Sequence, residues 1–313
     1  MMTEASLSHR PVLVSEVLAA LAVRPDGCYV DATFGRGGHA AAILERLGPT
    51  GSLLALDRDP AAAEWARAEF CNEPRFQFVQ SRFSELASIV TERRLCGRVD
   101  GVLLDLGVSS PQLDDPERGF SFSRDGALDM RMDPTSGSSA TDWLNRIGEM
   151  ELERILAEFG EERFHRRIAH AIVAARRRAP ITTTARLAEI VSLAIPTRQP
   201  GKHPATRVFQ AVRIAVNDEL NELRAVLPQT TQILAPGGRL AVIAFHSLED
   251  RMVKRFMRER ARGQELPLDL PVVGIPKGIS LRLIGRPSRP ADPEVMANPR
   301  ARSAVLRVAE RLE

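Results

Sequence analysis

The sequence predicts an α/β protein: a doubly wound, mainly parallel sheet that carries a mostly helical inserted domain. Three observations predict it. Short apolar runs alternate with helix-forming stretches through the first third of the chain, as in stacked βαβ units. The rhythm stops at Leu106, where a long polar loop and then a helical stretch follow, and it resumes after Gly238 with another apolar run.

The first four strands are expected at Cys28 to Asp31, Ser52 to Asp57, Phe76 to Gln80 and Val102 to Leu106, each short and largely apolar, as strands buried on both faces are. Helices are expected between them at Gly38 to Leu47, Ala61 to Phe70 and Ser84 to Arg94, where apolar residues recur at spacings of three and four. Gly107 to Ala140 is rich in Gly, Pro, Ser and Asp and has no period, which marks a functional loop or a domain entry. Thr141 to Leu193 reads as helical throughout, with Thr141 and the Thr182 to Thr184 cluster as N-caps. Prolines in Ile195 to Pro204 close it. A long helix is expected from about Ala205 to Leu234, then a strand at Arg239 to Phe245, a helix at Leu248 to Arg262, and a final strand pair at Ser280 to Ile284 and Ala304 to Ala309. The expected division is 1–112 with 205–313 for the sheet domain and 113–204 for the insertion, which suits the 313-residue length.

Composition excludes several classes. Hydrophobic residues at 44% and charged residues at 27% are those of an ordinary globular chain. No apolar run is long enough for a membrane helix and the start lacks a signal-peptide pattern, so a soluble, cytoplasmic protein is expected. Cys28, Cys71 and Cys96 form no CxxC pair, so neither a metal site nor a disulfide framework is expected. The chain has three lysines and 40 arginines. Guanidinium suits phosphate and base recognition, which fits a nucleic-acid partner, and a GC-rich genome gives the same bias.

Between the first strand and first helix lies Asp31-Ala-Thr-Phe-Gly-Arg-Gly-Gly-His39, where a doubly wound fold keeps its ligand loop. Asp57 ends the second strand, where a carboxylate can accept both hydroxyls of a ribose. Strand, glycine loop, helix, strand and terminal acid in register indicate a nucleotide site. Gly35, Gly37 and Ala40 also satisfy the spacing of a dinucleotide fingerprint, which keeps an NAD-dependent oxidoreductase open. Asp31 favours S-adenosylmethionine, because a carboxylate there can hold an ammonium and would repel a pyrophosphate. Asp105 ends the fourth strand before Gly-Val-Ser109-Ser110-Pro111-Gln112, at the position of the acceptor motif of amino-group methyltransferases. Only one proline is present and Gln112 stands where an aromatic is usual, so a plain proline turn is an equal reading. Asp105, Ser109 and Ser110 are the candidate catalytic groups, as acceptors that orient an amine whose lone pair is delocalised into a ring.

The segments DATFGRGGH, LDRDP, DGVLLDLGVSSPQLDDPERGFSF, DMRMDP, GEERF, KHPATRVFQAVRIAVNDEL, APGGRL, FHSLEDRMVKRFM and NPRARSAVLR together resemble the RsmH (MraW) family, and none of the motifs is broken from His9 to Arg307. The resemblance implies a class I, Rossmann-like S-adenosylmethionine-dependent methyltransferase with a helical insertion. It also implies an activity, methylation of N4 of a cytidine in the decoding centre of bacterial 16S rRNA within the small ribosomal subunit. Carried over by position, it places cofactor contacts on Gly37, Gly38, His39, Asp57, Phe83, Asp105 and Gln112. Core packing is the competing reading for Phe83, and a satisfied first-turn histidine for His39. A non-catalytic RNA-binding assembly factor is the remaining alternative, and oligomeric state is open, a homodimer included.

RNA-facing residues are expected in four places. Arg163, Arg166, Arg167 and His170 share one helical face opposite Phe164, Ile168 and Ile172, and Arg176 to Arg178 extend it. Lys202, His203, Arg207 and Arg213 lie at the return from the insertion. Phe245, His246 and Ser247 follow the fifth strand at the same carboxyl edge as Asp105, where Phe245 could stack on a flipped base. His246 either contacts that base, the reading its edge position favours, or caps the next helix with Ser247 and Glu249. Arg300 and Arg302 are further candidate phosphate contacts.

Overall fold

The computed structural model describes residues 11–197, 203–263 and 278–312. The chain forms two compact units, one comprising residues up to Gly107 and from Asn221 onward, the other Val108–Leu220. Helix Val14–Leu21 (α1) precedes an alternating series: Cys28–Asp31 (β1), Gly38–Leu44 (α2), Ser52–Asp57 (β2), Pro60–Glu69 (α3), Phe76–Gln80 (β3), Leu86–Glu92 (α4) and Val99–Asp105 (β4).

The helical unit follows, with Ser110–Asp114 (α5), Ala140–Arg146 (α6), Glu149–Glu158 (α7), His165–Arg176 (α8), Thr184–Ala194 (α9) and Thr206–Asn217 (α10). Glu219–Ile233 (α11) then leads back to the sheet, completed by Leu234–Ala244 (β5), Ser247–Arg262 (α12), Leu281–Leu283 (β6), Asp292–Ala297 (α13) and Val305–Arg311 (β7).

The seven strands are ordered β3-β2-β1-β4-β5-β7-β6, with β1 to β5 parallel and β7 antiparallel to both neighbours. Strands β2 and β3 are therefore laid down on one side of β1 and β4 and β5 on the other, and a doubly wound sheet opens its ligand crevice at that switch point. Alternate residues go to opposite faces. Val30, Leu54, Leu104 and Val242 pack with Leu86, Leu227 and Val253, whereas Tyr29, Leu53, Leu103 and Ala241 pack with Leu13, Ile43 and Ala62. Among the described residues no helix is long and apolar enough to cross a membrane.

The insertion differs from the sequence reading in its helix ends. The stretch after Ser139 is four helices, not one run, and Ser139 rather than Thr141 caps the first, accepting the Asp142 amide at 3.1 Å. Thr141 instead hydrogen-bonds the Leu128 carbonyl. Thr183 caps α9 as expected of its cluster. The aperiodic loop is packed, burying Phe120, Leu128 and Met130 in the helical core.

The long helix expected from Ala205 to Leu234 is broken. Asp218 adopts φ 55°, a left-handed turn that a short polar residue tolerates. Buried Asn217 fixes the break, its side chain accepting from Met132 N and donating to Met130 O and Arg213 O. Because α10 buries Val208, Phe209, Ala211 and Val212 in the helical core, it belongs to that unit, and the division falls at Gly107 and Asn221 rather than at 112 and 205. Strand β5 begins earlier than expected: Leu234 pairs with Val99, and Pro236 to Gly238 bulge out before Arg239 rejoins Gly101.

Candidate cofactor and active site

The ends of β1 and β4 carry the first two candidate carboxylates, Asp31 and Asp105. Asp31 is 1% exposed; its Oδ1 accepts the Thr33 amide at 3.1 Å, and its Oδ2 is buried with no hydrogen-bond partner. Thr33 Oγ1 in turn accepts the Asp105 amide at 2.7 Å, which ties the glycine loop to the end of β4. Asp105 Oδ1 is likewise buried and unpartnered. Two unpartnered carboxylate oxygens at a switch point are costly unless a donor or cation fills the space.

His39 stands in the first turn of α2, 5% exposed, with Nε2 3.5 Å from Asp105 Oδ2. Burial pulls its imidazolium towards deprotonation, but the neighbouring Asp105 and Asp31 outweigh burial and the net shift is upward. Burial dominates at Asp31 and raises its carboxyl to about 7, against the lowering influence of His39.

Asp57, at the end of β2, accepts the Gly35 amide on Oδ2 at 2.7 Å and the Asp59 amide on Oδ1 at 2.9 Å. It therefore holds the loop and, with lone pairs to spare, can still accept a ribose hydroxyl. Burial raises its carboxyl to about 6 despite these amides.

Gly37 has φ +72°, and a Cβ there would lie 2.7 Å from the Phe34 ring; one on Gly38 would lie 2.7 Å from Pro11. Packing therefore demands these glycines as strictly as a ligand would. Sequence reasoning missed two fasteners of this loop. Thr33 is one; the other is Trp65, whose indole donates to the Arg36 carbonyl at 2.9 Å while the Arg36 guanidinium lies 4.8 Å over its ring. A threonine two residues after a strand-ending acid was the available signal for the first.

Phe83 opens a short 3₁₀ turn after β3 and packs, half-buried, on the core beside α4. At the end of β5, Phe245 is half-buried and its amide donates to Glu249 Oε2 at 2.9 Å. His246 takes the capping role: it is the N-cap of α12, its Nε2 lies 3.1 Å from Glu249 Oε1, and Ser247 is the first helical residue.

In the helical unit Ser109 is the N-cap of α5 and its amide donates to buried Gln112 Oε1 at 2.9 Å, with Ser110 opening the helix. His203 lies against Phe122, ring centroids 4.4 Å apart, and Arg207 donates to the Glu161 carbonyl. Lys202 lies outside the described residues. Two members of the basic face expected on α8 are matched by acids of α7, Arg166 with Glu153 at 2.8 Å and His170 with Glu149 at 3.1 Å, while Arg167, Arg177 and Arg178 are exposed. Arg163 and Phe164 precede the helix. Arg176 donates to the Leu144 and Ile147 carbonyls at the end of α6, and Arg213 holds Glu219 through two bonds at 2.8 Å, so both serve structure. Arg300 and Arg302 are exposed in a 3₁₀ turn before β7.

The carboxylates decide the kind of ligand. Asp31, Asp57 and Asp105 suit a cationic, ribose-bearing group, whereas the pyrophosphate of a dinucleotide would be repelled, which disfavours the oxidoreductase alternative. Curated relatives match along nearly the whole chain. A ribosomal RNA small subunit methyltransferase H of Thioalkalivibrio sulfidiphilus is 59% identical over 97% of this chain and 98% of its own. Proteins of the same description from Chromohalobacter salexigens and Pseudoalteromonas atlantica are 56% and 54% identical, covering 98% and 97% of this chain and 93% and 98% of theirs. The model of the MraW methylase family matches residues 6–312, and with the switch-point acids and glycine loop in place the chain belongs to that family of methyltransferases.

Proposed function

We propose that the protein transfers the methyl group of S-adenosylmethionine to N4 of a cytidine in 16S rRNA of the small ribosomal subunit. The observation that carries the cofactor reading is the pair of unpartnered oxygens, Asp31 Oδ2 and Asp105 Oδ1, at the β1/β4 switch point. A group bearing an ammonium answers that need. Family membership supports methyl transfer, and the relatives named for small-subunit ribosomal RNA support the substrate. The base and its N4 atom rest on the motif resemblance.

When bound, S-adenosylmethionine supplies an electrophilic methyl group. In this reading Asp31 holds the ammonium, the Gly38 amide faces the methionine part while the Gly37 amide closes the loop on the Phe34 carbonyl at 2.7 Å, and Asp57 takes the ribose while keeping its grip on the Gly35 amide. His39 steadies Asp105 through their 3.5 Å contact. Phe83 sits after β3, where an adenine would pack. Asp105 can accept a hydrogen of the cytosine amine, which aligns a weak nucleophile by positioning rather than by strong base catalysis. Roles for Ser109, Ser110, Gln112, Lys202, His203 and Arg207 rest on the resemblance and the sequence reading. Phe245 is the stacking candidate for the base.

The test is incubation with methyl-labelled S-adenosylmethionine and small subunits lacking this modification, followed by nucleoside digestion and mass analysis. Labelled N4-methylcytidine is expected. Cofactor binding with no labelled RNA base would overturn the substrate, and label on another base would overturn the N4 assignment.

A further inference from the structure

Several cations expected to face RNA in the helical unit, Arg166, His170, Arg176 and Arg213 among them, are taken up by their own neighbours, whereas one helix of the sheet unit carries a longer row of outward cations. Helix α12 buries Val253 and Met257 and lays Met252 and Phe256 on the core. At about 100° per residue, Arg251, Lys254, Arg255, Arg258 and Arg262 fall on the opposite side within an arc of about 100°. Arg255, Arg258 and Arg262 are exposed, and with Arg251 and Lys254 they line a shallow concavity of about 460 Å³.

One acid shares this face: Glu259, which pairs with Arg255 at 2.7 Å. Among the described residues Lys254, Arg258 and Arg262 have no anionic partner. Their spacing makes this unfavourable for a merely solvated helix, because Lys254 and Arg258, and Arg258 and Arg262, are like charges one turn apart. Helix α7 shows the ordinary arrangement, with Arg154 held between Glu151 and Glu158. A row of cations repeating about every 5.4 Å along about 17 Å of helix matches an extended polyanion rather than a single small anion.

Position adds to charge. Helix α12 starts at Ser247, immediately after β5, whose Ile243 is in register with Asp105. The row therefore leads away from the edge at which the methyl acceptor must arrive.

We propose that the outward face of α12 is a docking surface for the phosphate backbone of the RNA substrate, an inference that rests on the RNA-methylation reading above. Bound there, the RNA neutralises the like-charge row and releases condensed counterions, so the contact is salt-dependent and sequence-independent.

The test compares wild type with Lys254→Gln/Arg258→Gln, which keeps helix propensity and leaves the candidate cofactor site untouched. Initial methylation rates are measured on unmodified small subunits and on protein-free 16S rRNA across a salt series. The expected results are a KM for RNA raised roughly tenfold near physiological salt and a log–log salt slope shallower by about 1.4 to 1.8, the release for two phosphates. Cofactor affinity is expected to stay at the wild-type value, and Lys254→Arg/Arg258→Lys to restore most of the loss. An unchanged KM and salt slope, with wild type active, would overturn the docking surface while leaving the methylation reading intact. A raised KM on subunits with an unchanged KM on protein-free RNA would show that the row faces an acidic protein, and would also overturn it. If wild type itself labels no RNA, the failure lies with the proposed function.

Discussion

Asp31→Asn tests the central electrostatic claim about the site. Burial raises the Asp31 carboxyl from its ordinary 3.8 to about 7, so the native state without cofactor binds this proton more tightly than the unfolded chain. The associated stability is fully present below pH 3.8 and is lost as pH rises through about 7, about 4 kcal/mol in all. Integrated between about pH 5.5 and about pH 8.5, the loss is about 2 kcal/mol. Asparagine carries no titrating proton, and its side-chain carbonyl can still accept the Thr33 amide. Urea unfolding of both proteins without cofactor, at these two pH values, should give a stability difference between variant and wild type that is about 2 kcal/mol more favourable to the variant at the higher pH. The same substitution should weaken S-adenosylmethionine binding, because the ammonium loses its counter-charge. Wild-type affinity should rise with pH through about 7, as Asp31 ionises to receive it. Parallel stability curves for the two proteins, or a cofactor affinity untouched by the substitution, would refute the argument that Asp31 is a desolvated carboxylate waiting for a cation.

Three further outcomes follow from the same geometry. Asp57→Ala removes the acceptor for the Gly35 and Asp59 amides as well as the ribose contact, so calorimetry should find cofactor affinity reduced on the order of 10- to 100-fold. Gly37→Ala forces a side chain into φ +72° and against the Phe34 ring, and should cost about 2–4 kcal/mol in urea unfolding. Arg176→Gln deprives the Leu144 and Ile147 carbonyls of their donor; it should cost about 1–3 kcal/mol while leaving the KM for RNA unchanged, because this arginine ends a helix rather than facing a phosphate.

Strand-ending acids were legible because position dictates exposure: Asp31, Asp57 and Asp105 each follow an apolar run, and the carboxyl edge of a parallel sheet is where such groups meet a ligand. The break at Asp218 was not legible. Its cause is the buried hydrogen bonding of Asn217 to Met130 and Met132, 85 to 87 residues away in the chain, and no local period records that. The basic face of α8 was legible as a pattern but misleading as chemistry, since Glu149 and Glu153, which occupy two of its members, come from another helix. For His246 the edge position favoured base contact over a cap, and the structure adds that it caps α12 through Glu249, three residues on.

By itself the sequence determined the doubly wound sheet, the helical insertion, the glycine loop and the three strand-ending carboxylates, because each is a matter of local period, turn chemistry or spacing. Only the tertiary structure decided which polar groups are already satisfied. A hydrogen bond or ion pair depends on what distant segments bring within about 3 Å, and burial fixes its worth. Thus Arg176 and Arg213 became internal fasteners, Asp31 and Asp105 kept unpartnered oxygens, and the cations of α12 were left facing outward.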